Sequence, residues 1–82
     1  MNLEQSIINK PNNYYVSSQI DRYIKDFGQF TILQFSNRVI GSQVKGDLDT
    51  ISFLCESHNL DFKPYKIYYI EGIKNYLRRD NW

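Results

Sequence analysis

Apolar residues recur at helical spacing along the segment that follows the first proline. They occupy positions i, i+4, i+7, i+8 and i+11 and form one stripe: Val16, Ile20, Tyr23, Ile24 and Phe27. Asn12 or Asn13 can cap a helix here, and Pro11 suits its first turn. Gly28 is placed to end the helix as a C′ glycine. The pattern therefore predicts a helix over residues 13–27.

A second helical stripe follows in the middle of the chain: Ile40, Val44, Leu48, Ile51 and Cys55. Gly41 and Gly46 lie inside this segment, and each costs about 1 kcal/mol relative to Ala in a helix interior. Because the stripe continues through both glycines, we favour one helix over residues 39–58. The alternative is a strand over residues 38–45 that completes a hairpin, with Asp47 capping a shorter helix.

Two short segments are dense in β-branched and aromatic residues and are bounded by turn-forming residues. They are residues 30–35 (F-T-I-L-Q-F) and residues 65–70 (Y-K-I-Y-Y-I), and the pattern predicts a strand for each. After the second strand, Glu71-Gly72 turns a hairpin, or else residues 73–77 form a short helix. Helices that alternate with strands predict an α/β fold, a two-layer sandwich with a small sheet and two helices on one face.

The length of 82 residues predicts one domain over residues 1–82, with a core of marginal size. The single cysteine excludes an intramolecular disulfide, so a homodimer is the expected source of further stability. The same cysteine count favours a reducing compartment, the cytoplasm or nucleus. The first eight residues lack a secretory signal pattern, and no segment has the length needed to span a bilayer.

Charge is distributed unevenly although the net charge is only +1. Residues 45–62 carry one lysine against four carboxylates, a net charge of −3, and residues 63–82 carry five basic against two acidic residues, a net charge of +3. The last segment, residues 71–82, is a short basic arm or terminal element in which cations stand beside aromatic rings. Such a mixture fits a nucleic-acid-binding arm, and an ordinary solubilising tail is the alternative. Its basic residues are Lys74, Arg78 and Arg79.

Two turns carry a resemblance to a known family. Lys10-Pro11 precedes the first predicted helix, and Asn37-Arg38 precedes the second. With this element order, residues 7–70 resemble the Alba family of small nucleic-acid-binding proteins. The resemblance implies a β-α-β-α-β fold to which a last strand can be added. The first strand of that fold would precede the lysine-proline turn.

The resemblance also implies which residues bind. Lys10 and Arg38 would contact phosphates from turns beside the sheet, with Asn12 donating a hydrogen bond next to Lys10. The leading hypothesis is therefore a small non-enzymatic protein that binds DNA or RNA by backbone and shape, without a cofactor. The alternative is a protein-binding module, such as a phage or mobile-element inhibitor that docks on one host protein through residues 65–70.

One pair of residues is a candidate for catalysis or metal binding. Cys55 and His58 stand at i, i+3 near the predicted end of the second helix, which His58 and Asn59 would terminate. Such a pair suits a metal half-site or a thiol–imidazole couple. Because Cys55 falls on the apolar stripe and the chain has no second cluster of ligands, neither a catalytic residue nor a metal site is predicted.

Overall fold

A computed structural model of the protein describes residues 10–33 and 37–79. Within these ranges the chain forms three α-helices and no strand: α1 (Tyr14–Leu33), α2 (Asn37–Ser57) and α3 (Phe62–Arg79). The predicted α/β sandwich is therefore wrong. Residues 30–33 continue α1, and residues 65–70 lie inside α3. The sheet implied by the Alba resemblance is not formed by the described residues, and its first strand would fall before Lys10, outside them.

The core is built from one apolar stripe on each helix. The second stripe is confirmed as one long helix, since α2 runs unbroken through both of its glycines. The third stripe belongs to the segment predicted as a strand, and it continues at helical spacing through α3. Full burial of one valine, isoleucine or phenylalanine side chain contributes about 1.5–3 kcal/mol of stability relative to leaving it exposed. The buried apolar residues are Val16, Ile20, Ile24, Phe27, Ile51, Cys55, Tyr65, Tyr69 and Ile73.

Two glycines allow α1 and α3 to approach closely along their length. A Cβ atom added to Gly28 would lie 2.3 Å from two ring atoms of Tyr76, and one added to Gly72 would lie 2.5 Å from Ile24 Cδ1. Ile24 meets Gly72 and Gly28 meets Tyr76, so the contacts advance in the same direction along both helices, and α1 and α3 are parallel. Gly28 therefore does not end the first helix, and Gly72 does not turn a hairpin. Each glycine removes a side chain at the point where the neighbouring helix inserts one.

Asn13 caps α1. The backbone N–H of Val16 donates to Asn13 Oδ1 at 3.0 Å, which satisfies one of the amides left unpaired at the helix start. The hydroxyl of Ser17 donates to the carbonyl oxygen of Pro11 at 2.9 Å. Pro11 thus precedes the helix instead of occupying its first turn, and the predicted cap is confirmed at the second of the two asparagines.

A Schellman motif ends α2. Asn59 has a positive φ of 57°, a conformation that asparagine tolerates better than most residues. Its N–H donates to the Glu56 carbonyl at 3.2 Å, and the N–H of Leu60 donates to the Cys55 carbonyl at 2.8 Å. This confirms that His58 and Asn59 terminate the second helix.

The contrast between two helical glycines gives a first prediction. Gly28→Ala should lower the free energy of unfolding by about 1–3 kcal/mol, because the new methyl group overpacks the Tyr76 contact. Gly46→Ala should raise it by up to about 1 kcal/mol, because nothing lies within 4 Å of the added Cβ and alanine favours the helix. Urea unfolding of both variants measures the two effects. Equal stabilisation of both variants would contradict the close approach of α1 and α3.

Candidate nucleic-acid interface

Positive charge is concentrated on α3. This helix contains five basic residues and one acidic residue, whereas α1 contains two of each and α2 contains two basic and three acidic residues. The chain is nearly neutral as a whole, and α3 is the most strongly charged of the three described helices. The basic residues of α3 are Lys63, Lys66, Lys74, Arg78 and Arg79.

Most of these cations share one exposed face. Lys63, Lys66, Lys74 and Arg78 stand at i, i+3, i+11 and i+15 and are exposed to solvent. At 100° per residue they fall within an arc of about 120°, over a helix length of about 22 Å. Two exposed aliphatic side chains, Ile67 and Leu77, lie within the same arc, and Ile70 in that arc is partly buried against the core. We call this surface the α3 basic face; its members are Lys63, Lys66, Ile67, Lys74, Leu77 and Arg78.

The cations of the α3 basic face are weakly neutralised. Lys74 Nζ lies 3.7 Å from Glu71 Oε2, and both side chains are about half exposed, so solvent screens the pair. Among the described residues, no carboxylate lies within ion-pairing distance of the other three cations. One of them, Arg78, has a guanidinium nitrogen 3.5 Å from Asn75 Oδ1. The face therefore offers positive charge that an anionic ligand can reach.

The predicted site residues are divided among three places. Lys74 and Arg78 lie together on the α3 basic face, and Arg79 is the last residue of α3. Asn12 is exposed in the loop before α1, and Arg38 lies in the first turn of α2. Residues 71–79 are helical, so the described part of the basic segment is not a hairpin arm.

Lys10 is already engaged within the fold. Its Nζ lies 3.1 Å from Asp21 Oδ2 and 5.8 Å from the centre of the Tyr68 ring. The hydroxyl of Tyr68 donates to the other oxygen of the same carboxylate at 2.5 Å. Burial, followed by the contact with Asp21, raises the pKa of Tyr68, so this phenol stays protonated and remains a donor. Asp21 thus joins the N-terminal loop, α1 and α3, and Lys10 helps to hold that junction.

Two lysines of the α3 basic face were missed by the sequence analysis. Lys63 precedes the segment predicted as a strand, and Lys66 lies inside that segment, where alternate residues would point to opposite sides. Their spacing relative to Lys74 and Arg78 carries the signal. The four positions share one face only when the whole segment is a helix.

A buried carboxyl group joins α2 to α3. Asp47 is only 5% exposed, and it accepts hydrogen bonds from the Tyr69 hydroxyl at 2.7 Å and from Gln43 Nε2 at 3.0 Å. Loss of solvent raises the pKa of Asp47, and the two hydrogen bonds offset part of that rise. Burial and the contact with Asp47 also raise the pKa of Tyr69. Asp47 lies inside α2, so the alternative in which it caps a shorter helix is wrong.

The cysteine–histidine pair is not assembled into a site. Cys55 is buried in the core, and burial raises the pKa of its thiol, which disfavours the reactive thiolate. His58 is exposed, and its ring centre lies 5.3 Å from that of Tyr15. In the described part of the chain, no group of three or more His, Cys, Asp or Glu side chains could hold a metal ion.

None of the helices in residues 10–33 and 37–79 combines the length and the apolar character needed to cross a membrane.

Comparison with known proteins supplies no relative: no protein-family model, no curated protein and no solved structure matches this chain. The α3 basic face is therefore the feature from which a function can be inferred.

The buried carboxyl group gives a second prediction. Because the folded state raises the pKa of Asp47, the folded protein binds more protons than the unfolded chain, and this group adds stability as the pH falls. The Asp47→Asn variant keeps an oxygen that can accept the hydrogen bond from the Tyr69 hydroxyl, but its amide does not titrate. Between about pH 7 and about pH 4, wild type should therefore gain unfolding free energy relative to the variant.

Urea unfolding of both proteins at each pH measures this difference, and the remaining carboxyl groups cancel in the comparison. A difference that stays constant, or that shrinks as the pH falls, would contradict the raised pKa of Asp47.

Proposed function

We propose that this protein binds nucleic acid through the α3 basic face, mainly by contacts to the phosphate backbone. The observation that supports it is the row of four exposed cations along one side of α3. Phosphate contacts supply most of the sequence-independent affinity of nucleic-acid-binding proteins. The proposed activity is binding alone, without a catalytic step.

The spacing of the cations suits a linear polyanion. Lys63 and Lys66 are separated by about 4.5 Å along the helix axis, and Lys74 and Arg78 by about 6 Å, with about 12 Å between the two pairs. A single DNA strand carries one phosphate per about 3.4 Å of duplex axis, so a strand beside α3 offers a phosphate to each cation. Arg78 can hold a phosphate through two parallel hydrogen bonds, whereas each lysine acts as a point charge.

The aromatic residues contribute less than their number suggests. Tyr65 and Tyr69 are buried in the core, while Tyr14 is 85% and Tyr15 51% exposed at the start of α1. Since α1 and α3 are parallel, these two rings lie at the same end of the bundle as Lys63. An unpaired base that stacks on an exposed ring gains about 1–3 kcal/mol, which favours single strands and loops over duplex.

A second candidate is docking on another protein. Ile67 is 51% and Leu77 37% exposed between the cations, and a mixed apolar and cationic surface also fits an acidic amphipathic partner. The earlier form of this hypothesis, with residues 65–70 as a docking strand, is wrong because that segment is helical and buries Tyr65 and Tyr69. Salt dependence separates the candidates, since apolar docking weakens far less with added salt than phosphate binding does.

Paired charge-neutralising variants test the nucleic-acid proposal. Lys63→Gln/Lys66→Gln should weaken binding to a fluorescent oligonucleotide and reduce the salt slope of log K by about 1.4 on single strands, because two phosphate contacts are lost. The matched control is Arg22→Gln/Lys25→Gln, which removes the same charge from exposed positions of α1. Fluorescence anisotropy from about 50 mM to about 200 mM salt measures both slopes.

The control should leave the slope close to that of wild type. Equal losses in the two double variants would mean that net charge, and not the α3 basic face, governs binding. Absence of wild-type binding at the lowest salt concentration would contradict the proposal and favour the protein-docking candidate.

A further inference from the structure

The outer side of α2 carries an unusual pair of residues. Phe53 is 66% exposed, although phenylalanine is usually buried, and it points away from the core side marked by Ile51 and Cys55. Gly46 lies one heptad earlier on the same side, and no atom lies within 4 Å of the Cβ that a larger residue would place there. An exposed ring and an open backbone surface thus occur on one helix face.

We propose that this face binds a second copy of the chain, with the two α2 helices antiparallel across a two-fold axis near residues 49–50. In that arrangement Phe53 of each copy lies opposite Gly46 of the other, so one ring fills each open position. The contact is self-complementary, as a two-fold interface requires, because both copies supply the same ring and the same opening. The proposal involves other residues than the α3 basic face and does not depend on nucleic-acid binding.

Charge complementarity supports the antiparallel orientation. Lys45 and Glu56 lie on one flank of the face, and both are exposed. In an antiparallel pair, the two-fold axis brings this flank of one helix beside the same flank of the other. Lys45 of each copy then lies near Glu56 of the other copy, which gives two such ion pairs. Asp49 comes near its own symmetry copy, and its ion pair with Lys45 at 3.3 Å lessens the repulsion.

The available surface determines the strength of the dimer. Residues with small side chains surround Phe53 on this face, including Thr50 and Ser57, so the two helices can approach closely. One pair of helices offers less than the 1,200–2,000 Å² or so that specific stable interfaces bury. We therefore expect a reversible dimer with a dissociation constant in the range of about 10–100 µM.

Sedimentation equilibrium from about 10 µM to about 500 µM tests the proposal, with wild type changing from monomer to dimer across that range. Phe53→Ser should weaken association at least about tenfold, because the ring is the main buried group. The matched control, Ile67→Ser, removes a similarly exposed apolar side chain from α3 and should leave association unchanged. Circular dichroism shows whether each variant keeps the helical fold.

A charge swap tests the orientation separately. Lys45→Glu should weaken the dimer several-fold by placing like charges together. Adding Glu56→Lys should restore part of the association, since both ion pairs between the copies then form with reversed sign while the Lys45–Asp49 ion pair stays lost. A wild type that stays monomeric at the highest concentration would overturn the proposal. So would an effect of Ile67→Ser equal to that of Phe53→Ser, or a double charge variant no better than the single one.

Discussion

The fold depends on the close parallel contact between α1 and α3. Tyr76 packs where Gly28 has no side chain, and Ile24 packs where Gly72 has none, so each helix supplies one large residue and one opening. Two parallel helices joined by a third require α2 to run back in the opposite direction. The apolar stripes of all three helices can then meet in a single core.

Two adjacent tyrosines fix how α3 is turned about its own axis. Tyr68 donates to Asp21 on α1, and Tyr69 donates to Asp47 on α2. Neighbouring residues on a helix point about 100° apart, so these two bonds hold α3 against both other helices at once. The α3 basic face is what remains on the outside. The polar contacts within the bundle therefore determine which side chains are offered to a ligand.

The long apolar stripes could be interpreted from the sequence, and the short segments could not. Residues 30–35 and 65–70 are each only six residues long, and β-branched and aromatic residues in so short a window fit a strand and a buried helix equally. Gly28 and Gly72 were interpreted as turn signals, although their role appears only when the partner helix is in place. With residues 65–70 interpreted as a strand, Lys63 and Lys66 do not share a face with Lys74 and Arg78. The stripe that identifies α3 as a helix spans a longer window: Tyr65, Tyr69, Ile73 and Tyr76.

The parallel contact of α1 and α3 can be measured directly by nuclear Overhauser spectroscopy on the wild-type protein. Our structure predicts strong cross-peaks between the ring protons of Tyr76 and the α-protons of Gly28, because a Cβ on that glycine would lie 2.3 Å from the ring. It also predicts the short sequential amide–amide contacts of a helix through residues 65–70. Contacts between α-protons of residues 30–35 and 65–70, with no Tyr76–Gly28 peak, would instead show a sheet and contradict the three-helix bundle.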